Sequence, residues 1–372
     1  MKADWLIVGA GFTGSVLAER IAGQLDQSVL VVERRDHVGG NAFDEVDAHG
    51  ILVHRYGPHI FHTNSQRVWE YLSQFTEWRP YEHRVRARVQ GHLVPVPFNL
   101  TSLERLFPVT HAQRLTAKLV AAYGPESNVP ILRMREASDP DIRALAEFVY
   151  DNVYYGYTRK QWGMRPEDLD ASVTGRVPVR ISYDDRYFQD VYQAMPLRGY
   201  TAMFDRMLRH PRITLLLGTD YRRVASEVHC RRIIYTGATD AFFDFAYGPL
   251  PYRSLRFVFE THGAPWVQEV ATINYPDERS YTRTTEFKHL TGQEAPVSTT
   301  VTEYPVAYVS GENEPYYPIP RDETRERFGL YQREIDRLGD RVVFAGRLAD
   351  YRYYNMDQAV ARALKVFEEI AR

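Results

Sequence analysis

Gly9-Ala-Gly11-Phe12-Thr-Gly14 stands directly after a short apolar run and directly before residues spaced as on a helix. Glycines at this spacing permit a tight turn, a close backbone approach to a pyrophosphate and close packing of the following helix, whose first N–H groups face the phosphates. Glu33 closes the next apolar run, about 20 residues on, where a carboxylate can accept hydrogen bonds from adenosine ribose hydroxyls. Together these residues predict a bound dinucleotide. A second glycine-rich turn, Gly39-Gly40-Asn41-Ala42, follows Glu33, and a third, Phe344-Ala-Gly346-Arg347, comes near the end of the chain. Contacts spread so widely suit a long cofactor, FAD, better than NAD, whose lobe is normally continuous.

Other groups narrow the chemistry. His59 and His62 have a spacing that would bring two metal ligands together on a helix, but Tyr56-Gly-Pro reads as a loop and no acidic residue is near, so no metal site is predicted. Cys230 is the only cysteine, which excludes an intrachain disulfide and any thiolate-rich metal site and fits a cytoplasmic setting. Lysine and arginine total 46 against 48 acidic residues, a net charge of -2 with no one-sided basic segment. That balance argues against nucleic acid or a membrane surface and for a small-molecule partner. No apolar run approaches the roughly 20 residues of a transmembrane helix, and the first leads straight into the glycine turn, so neither membrane insertion nor a signal peptide is expected.

The elements that must position these groups follow from periodicity. Asp4 to Gly9 and Ser28 to Glu33 read as strands flanking a helix that carries Val16, Leu17 and Ile21, one βαβ unit. Ile213 to Leu217, Arg232 to Thr236 and Arg341 to Ala345 read as further buried strands, the last feeding a helix with Val360, Ala363, Leu364 and Phe367 on one face. Asp139-Pro140 reads as a helix start, with a second helix around Thr110 to Tyr123. Arg84 to Val96, broken by Gln90-Gly91, and parts of Leu255 to Thr302 alternate with period two, and Pro95 and Pro97 suggest an edge strand. The expected fold is mixed α/β with three parts. These are a discontinuous Rossmann-like FAD lobe (1–78, 192–248 and 333–372), a helical substrate lobe (100–191) and an antiparallel sheet lobe (79–99 and 249–332).

Several blocks carry a resemblance that spans nearly the whole chain: Tyr56-Gly-Pro-His-Ile-Phe-His-Thr63, Gly156-Tyr-Thr-Arg-Lys-Gln-Trp-Gly163, Arg176-Val-Pro-Val-Arg180, Asp185-Arg-Tyr-Phe188, Glu314-Pro-Tyr-Tyr-Pro318 and Tyr353-Tyr-Asn-Met-Asp-Gln358. The sequence resembles the bacterial UDP-galactopyranose mutases. That resemblance implies interconversion of UDP-galactopyranose and UDP-galactofuranose without net redox change, through a covalent adduct between N5 of reduced FAD and sugar C1. It also implies a homodimer, a separate flavin reductant not identifiable from this sequence, and UDP as the departing group.

Residue by residue, the resemblance implies that Arg176 and Arg283 clamp the diphosphate and that His62 acts beside the flavin, with Arg180 secondary to Arg176. It places Tyr157, Thr158, Trp162, His83, Tyr187, Arg253, Asn274, Tyr317, Arg347, Tyr353 and Asn355 on the substrate. It places Gly9, Gly11, Phe12, Gly14, Glu33, Arg34, Gly40, Asn41, His59, Gly346, Arg347, Met356 and Asp357 on FAD. Asn355 stands where some relatives have aspartate and His83 where others have asparagine, two departures that bear on sugar preference, including an N-acetylated sugar. The stretch from Asp168 to Tyr183 shows little periodicity and is expected to act as a mobile lid over UDP. Two competing readings are an amine-oxidase-type flavin oxidoreductase, distinguished by peroxide formation, and a sensor, distinguished by UDP binding without turnover.

Overall fold

The computed structural model describes residues 1–169, 177–319 and 321–372. Arg176, and with it the centre of the expected lid, lies outside the described residues. The chain divides into two compact units, one of Met1–Tyr81, Asp190–Tyr252 and Tyr308–Arg372, the other of Glu82–Gln189 and Arg253–Ala307.

The first unit is built on a parallel sheet of five strands in the order Ile213–Leu216, Val29–Val32, Trp5–Val8, Arg232–Tyr235, Val342–Phe344. Valine and isoleucine dominate the central strands because both faces of such a sheet are covered; Val29–Val32 is buried throughout. Helix Phe12–Leu25 makes the crossover between the first two strands in the chain and packs on the last helix, Met356–Ile370. That last helix buries Val360, Ala363, Leu364 and Phe367. Three strands, Phe61–Thr63, Tyr192–Pro196 and Trp78–Pro80, form a separate antiparallel sheet.

Asp44 lies in the short hairpin of Asp44–Val46 with Leu52–His54 and reaches a helix far away in sequence. Its carboxylate accepts from Tyr200 N (2.5 Å) and Thr201 N (2.8 Å), so it caps helix Gly199–Met207. Gly199 is held at φ +83°, and a Cβ there would sit 2.6 Å from Asp44 Oδ2.

The second unit carries a sheet ordered Tyr252–His262, Ser298–Ala307, Arg283–Glu286, Thr272–Asn274, Val85–Val89, His92–Val96. It is antiparallel except for one pair: Thr272–Asn274 runs parallel to Val85–Val89. The antiparallel sheet expected from sequence is corrected at this pair: its two strands are far apart in the chain, so no hairpin obliges them to run in opposite directions. Gln90 (φ 48°) and Gly91 (φ 87°) make the two-residue turn that pairs the last two strands, with Pro95 on the sheet's edge strand.

Asp139 caps helix Pro140–Val149 by accepting from Asp141 N (2.8 Å), with Pro140 at the first helical position. Helices and sheet in this unit share a core in which Val85, Val94 and Phe98 pack with Leu115, Ile142 and Val149. Among the described residues no helix is long and apolar enough to cross a membrane.

Gly14 tests how the first crossover is seated. A Cβ at that position would lie 1.9 Å from Gly9 O, inside the backbone of the turn itself. Gly14→Ala is expected to destabilise the protein by about 1–3 kcal/mol and to lower bound flavin, read by denaturant unfolding and by the flavin absorbance of the purified protein. Gly23→Ala, in the same helix with only the Glu19 carboxylate near (3.4 Å), is expected to stabilise by up to about 1 kcal/mol.

Candidate functional site

In the first unit the three glycine turns meet. Gly9 sits at φ +104°, and a Cβ there would lie 2.2 Å from Thr236 Oγ1. Gly40 (φ +57°) faces Gly11, and a Cβ on Gly40 would lie 3.0 Å from Gly11 Cα. Gly39 N donates to Ala10 O (2.8 Å). Gly346 (φ +115°) presses on Thr13, so a Cβ there would lie 3.1 Å from Thr13 Oγ1. All three turns therefore abut the start of helix Phe12–Leu25, whose N-cap, Gly11, has no side-chain cap.

Such a cradle of bare backbone at a helix N-terminus suits a pyrophosphate. Glu33, 7% exposed, accepts from Ala10 N (2.8 Å) and Arg35 N (3.0 Å). Two bonds leave part of the carboxylate's roughly four-fold acceptor capacity for a ribose. Phe12 is buried against Phe204 and Tyr200.

Around this cradle, Asn41 Oδ1 accepts from Arg35 Nη2 (3.0 Å), and exposed Arg34 pairs with Glu314. Arg35 also pairs with Glu314 (3.0 Å) and lies over the Tyr56 ring at 4.0 Å. His59 N donates to His54 Nδ1 (2.9 Å), and the His59 ring bonds Gly57 O through Nδ1 (2.8 Å). His62 Nδ1 lies 2.9 Å from Asp190 Oδ2, and Asn64 Nδ2 donates to Oδ1 of the same carboxylate. Asp190 was not legible as a site residue, because only the pairing of Phe61–Thr63 with Tyr192–Pro196 brings it alongside His62.

Arg347 gathers the aromatic residues of this unit. Its guanidinium donates to Tyr354 O (2.5 and 3.1 Å) and lies 5.9 and 5.6 Å from the rings of Tyr317 and Tyr353, which are themselves 5.1 Å apart. Asn355 is the N-cap of helix Met356–Ile370 in a capping box with Gln358. Met356 and Asp357 open that helix. Asp357 Oδ2 accepts from Thr63 Oγ1 (3.0 Å), while its Oδ1 is buried without a hydrogen-bond partner among the described residues. A buried acceptor without a donor and a bare glycine cradle in the same unit fit a polar cofactor.

The second unit holds the other predicted residues. Asn274, Arg283 and Glu303 stand opposite one another on three adjacent strands. Arg283 Nε donates to Glu303 Oε1 (2.5 Å), and Glu303 is only 1% exposed. Asn274 Oδ1 is buried without a hydrogen bond among the described residues. Tyr157, Thr158 and Trp162 lie on helix Gly156–Trp162, none of them fully buried, directly after the π-helical turn Tyr150–Tyr155. Arg253 donates Nε to Gln161 O (3.0 Å) and Nη2 to Lys160 O (3.1 Å), which ties the C-terminal end of that helix.

His83 is buried, accepts at its carbonyl from Tyr187 N (2.7 Å) and packs on the Tyr187 and Phe188 rings. Arg180 is buried, its Nε and Nη1 without hydrogen bonds among the described residues, and its strand pairs with Asn128–Val129. Glu303 and Lys160 escaped the sequence reading because neither the alternating strand nor the helical block marks out one residue. Among the described residues no group of three or more His, Cys, Asp or Glu could hold a metal ion.

Residues 152–353 match the family described as UDP-galactopyranose mutase, and residues 7–75 match an NAD(P)-binding Rossmann-like domain. A probable UDP-galactopyranose mutase of Klebsiella pneumoniae is 37% identical over 98% of this chain and 94% of its own. The chain belongs to the UDP-galactopyranose mutase family. Its members are isomerases, and the cofactor of this enzyme is FAD. A dTDP-fucopyranose mutase of Escherichia coli is 33% identical over 97% of this chain and 96% of its own. The fold is that of a solved reduced UDP-galactopyranose mutase, with a TM-score of 0.75 at 16% identity, covering 100% of this chain and 94% of the other.

His54 supports the His59 loop and offers a pH test. It is 1% exposed, and burial pushes its imidazole down to about 3. An unfolded histidine takes its proton near pH ~6.5, so below that pH the unfolded chain gains a proton the folded one refuses, and stability falls as pH drops from there toward the folded value, by about 1.4 kcal/mol per unit. His54→Asn, whose Oδ1 can replace Nδ1 as acceptor, is expected to shrink the stability difference between about pH 7 and pH 5 by about 2 kcal/mol in denaturant unfolding. An unchanged difference would show that His54 is protonated in the folded protein.

Proposed function

We propose that this enzyme interconverts UDP-galactopyranose and UDP-galactofuranose. The observation that carries the reading is the row Asn274–Arg283–Glu303. A rigid strand carries a cation whose Nε is already held by a buried carboxylate, next to a buried amide oxygen left open for a ligand. When bound and reduced, FAD supplies a nucleophilic nitrogen, N5, for sugar C1.

The chain's own groups do the rest. With Nε on Glu303, Arg283 presents its guanidinium to the diphosphate, whose negative charge grows as the glycosidic bond breaks. Orientation by Glu303 means that the guanidinium need not reorganise as that charge develops. Arg176 is the proposed second clamp. Tyr317 and Tyr353 donate hydroxyls to phosphate without adding charge, and Arg347 positions their rings. Tyr157 and Trp162 offer aromatic faces to the base, with Thr158, Tyr187, His83 and Asn355 as further substrate contacts.

On the cofactor side, the glycine turns and the start of helix Phe12–Leu25 hold the pyrophosphate and Glu33 holds the ribose. His62, oriented by Asp190, and His59 present polar groups to the flavin ring. The resemblance further supports a cytoplasmic homodimer served by a separate reductant.

The decisive experiment is anaerobic incubation of the dithionite-reduced protein with UDP-galactofuranose, with chromatography for the pyranose and the oxidised protein as control. Conversion only when reduced, without lasting flavin oxidation or peroxide, is the expected result. Similarity to a dTDP-fucopyranose mutase makes the dTDP-fucose pair the next substrate to try if galactose fails, followed by the N-acetylated sugar. Arg283→Ala is expected to lower kcat/KM by roughly 10- to 100-fold, the loss of a charge-assisted phosphate contact. Arg283→Lys is expected to recover only part, because lysine restores charge without the planar fork.

A further inference from the structure

Lys160 lies in the middle of helix Gly156–Trp162, and its ammonium ends on backbone carbonyls. Nζ donates to the carbonyl oxygens of Asp277 (2.9 Å), Arg279 (3.0 Å) and Tyr281 (2.9 Å), and also to that of Tyr275. These are alternate residues of the loop that joins strand Thr272–Asn274 to strand Arg283–Glu286. An ammonium has three N–H donors and a compact charge, so at least one N–H is shared between two of the four carbonyls, and the charge as a whole is met by all four. Tyr275 N donates to Thr282 O (2.8 Å) and closes the neck of the loop.

The helix is fastened to the loop at a second point. A Cβ on Gly156 would lie 1.9 Å from Pro276 O, so only glycine lets helix and loop meet here. The residues that leave the neck on either side are Asn274 and Arg283, paired in register.

We infer that Lys160 is a positioning residue for the diphosphate grip: its ammonium folds loop 275–281 around itself and thereby fixes the strand pair that presents Arg283. The inference rests on the reading of Arg283 as a phosphate contact. It also explains why a lysine stands within the aromatic block, since the same side chain ties the helix bearing Tyr157 and Trp162 to the row bearing Arg283.

UDP titration of the FAD-loaded enzyme tests this with Lys160→Ala, Gly156→Ala, Arg283→Ala and the two double variants that contain Arg283→Ala. Lys160→Ala is expected to weaken UDP binding on the order of tenfold, to raise KM more than it lowers kcat, and to leave the flavin spectrum and content unchanged. Propylammonium, which can refill the carbonyl cage, is expected to restore UDP affinity, whereas tetramethylammonium, which has no N–H, is not. Gly156→Ala displaces the loop without removing the charge and is expected to act in the same direction, which keeps the test open if Lys160→Ala does not fold. On the Arg283→Ala background each change is expected to weaken UDP binding by less than it does alone.

Wild-type UDP affinity in Lys160→Ala, or equal effects of the two ammonium ions, would overturn the role of Lys160 while leaving that of Arg283 intact. Wild-type UDP affinity in Arg283→Ala would overturn both.

Discussion

Close approach of glycine backbone at the start of helix Phe12–Leu25 is the constraint on which the cofactor unit depends. Gly14 lies against Gly9 O, Gly40 against Gly11, and Gly346 against Thr13. These approaches draw on residues far apart in sequence, and Gly9, Gly40 and Gly346 also need a positive φ that side chains rarely adopt. The three turns can therefore meet only if the parallel sheet has already brought Trp5–Val8, Val29–Val32 and Val342–Phe344 into register. The discontinuity of the unit along the chain follows from the length of its cofactor, because a long dinucleotide needs contacts that no single βαβ unit can reach.

In the second unit the recurrent device is a cation already satisfied by fixed acceptors. Arg283 is held by Glu303, Arg253 by two carbonyls at a helix end, and Lys160 by four carbonyls of one loop. The same logic covers buried Lys288, which donates to the carbonyls of Pro265, Ala295 and Val297 and lies 4.7 Å from the Trp266 ring centre. Desolvating a charge costs several kcal/mol unless hydrogen bonds replace the lost water. Each of these groups meets that condition with backbone or a buried carboxylate. A cation oriented in this way needs no rearrangement when a phosphate arrives, which is what electrostatic stabilisation of a departing diphosphate requires.

The sequence made legible those features that depend on local rules. The glycine spacing, the Asp139-Pro140 helix start, the Gln90-Gly91 turn and the parallel strands all follow from short-range sterics and periodicity, and they stand close to where they were expected. Features set by register across strands did not follow. Glu303 reaches Arg283 only because Ser298–Ala307 pairs with Arg283–Glu286 in one particular alignment, and nothing in its neighbours announces that. Asp190 beside His62 and Asp44 at the start of helix Gly199–Met207 belong to the same class, each separated from its partner by more than a hundred residues. Helix Asp322–Leu338 was missed for another reason: it is predominantly polar, with Tyr331 as its one fully buried large side chain among the described residues, so its apolar stripe is too thin to register as periodicity.

The family blocks lie between these two classes, and Arg253 shows why. Resemblance placed it on the substrate, yet two of its donor groups are engaged by Gln161 O and Lys160 O. A residue can recur within a functional block because it supports the element that bears the contact, and sequence alone does not separate support from contact. Hydrogen-bond geometry does. A side chain whose donors end on backbone carbonyls of its own unit is positioning structure, whereas Asn274 and Asp357, each with a buried oxygen that meets no donor, have acceptors left to offer a ligand. By that criterion Asp357, in the unit that carries the glycine cradle, and Asn274, paired in register with Arg283, are placed to meet a ligand's donor.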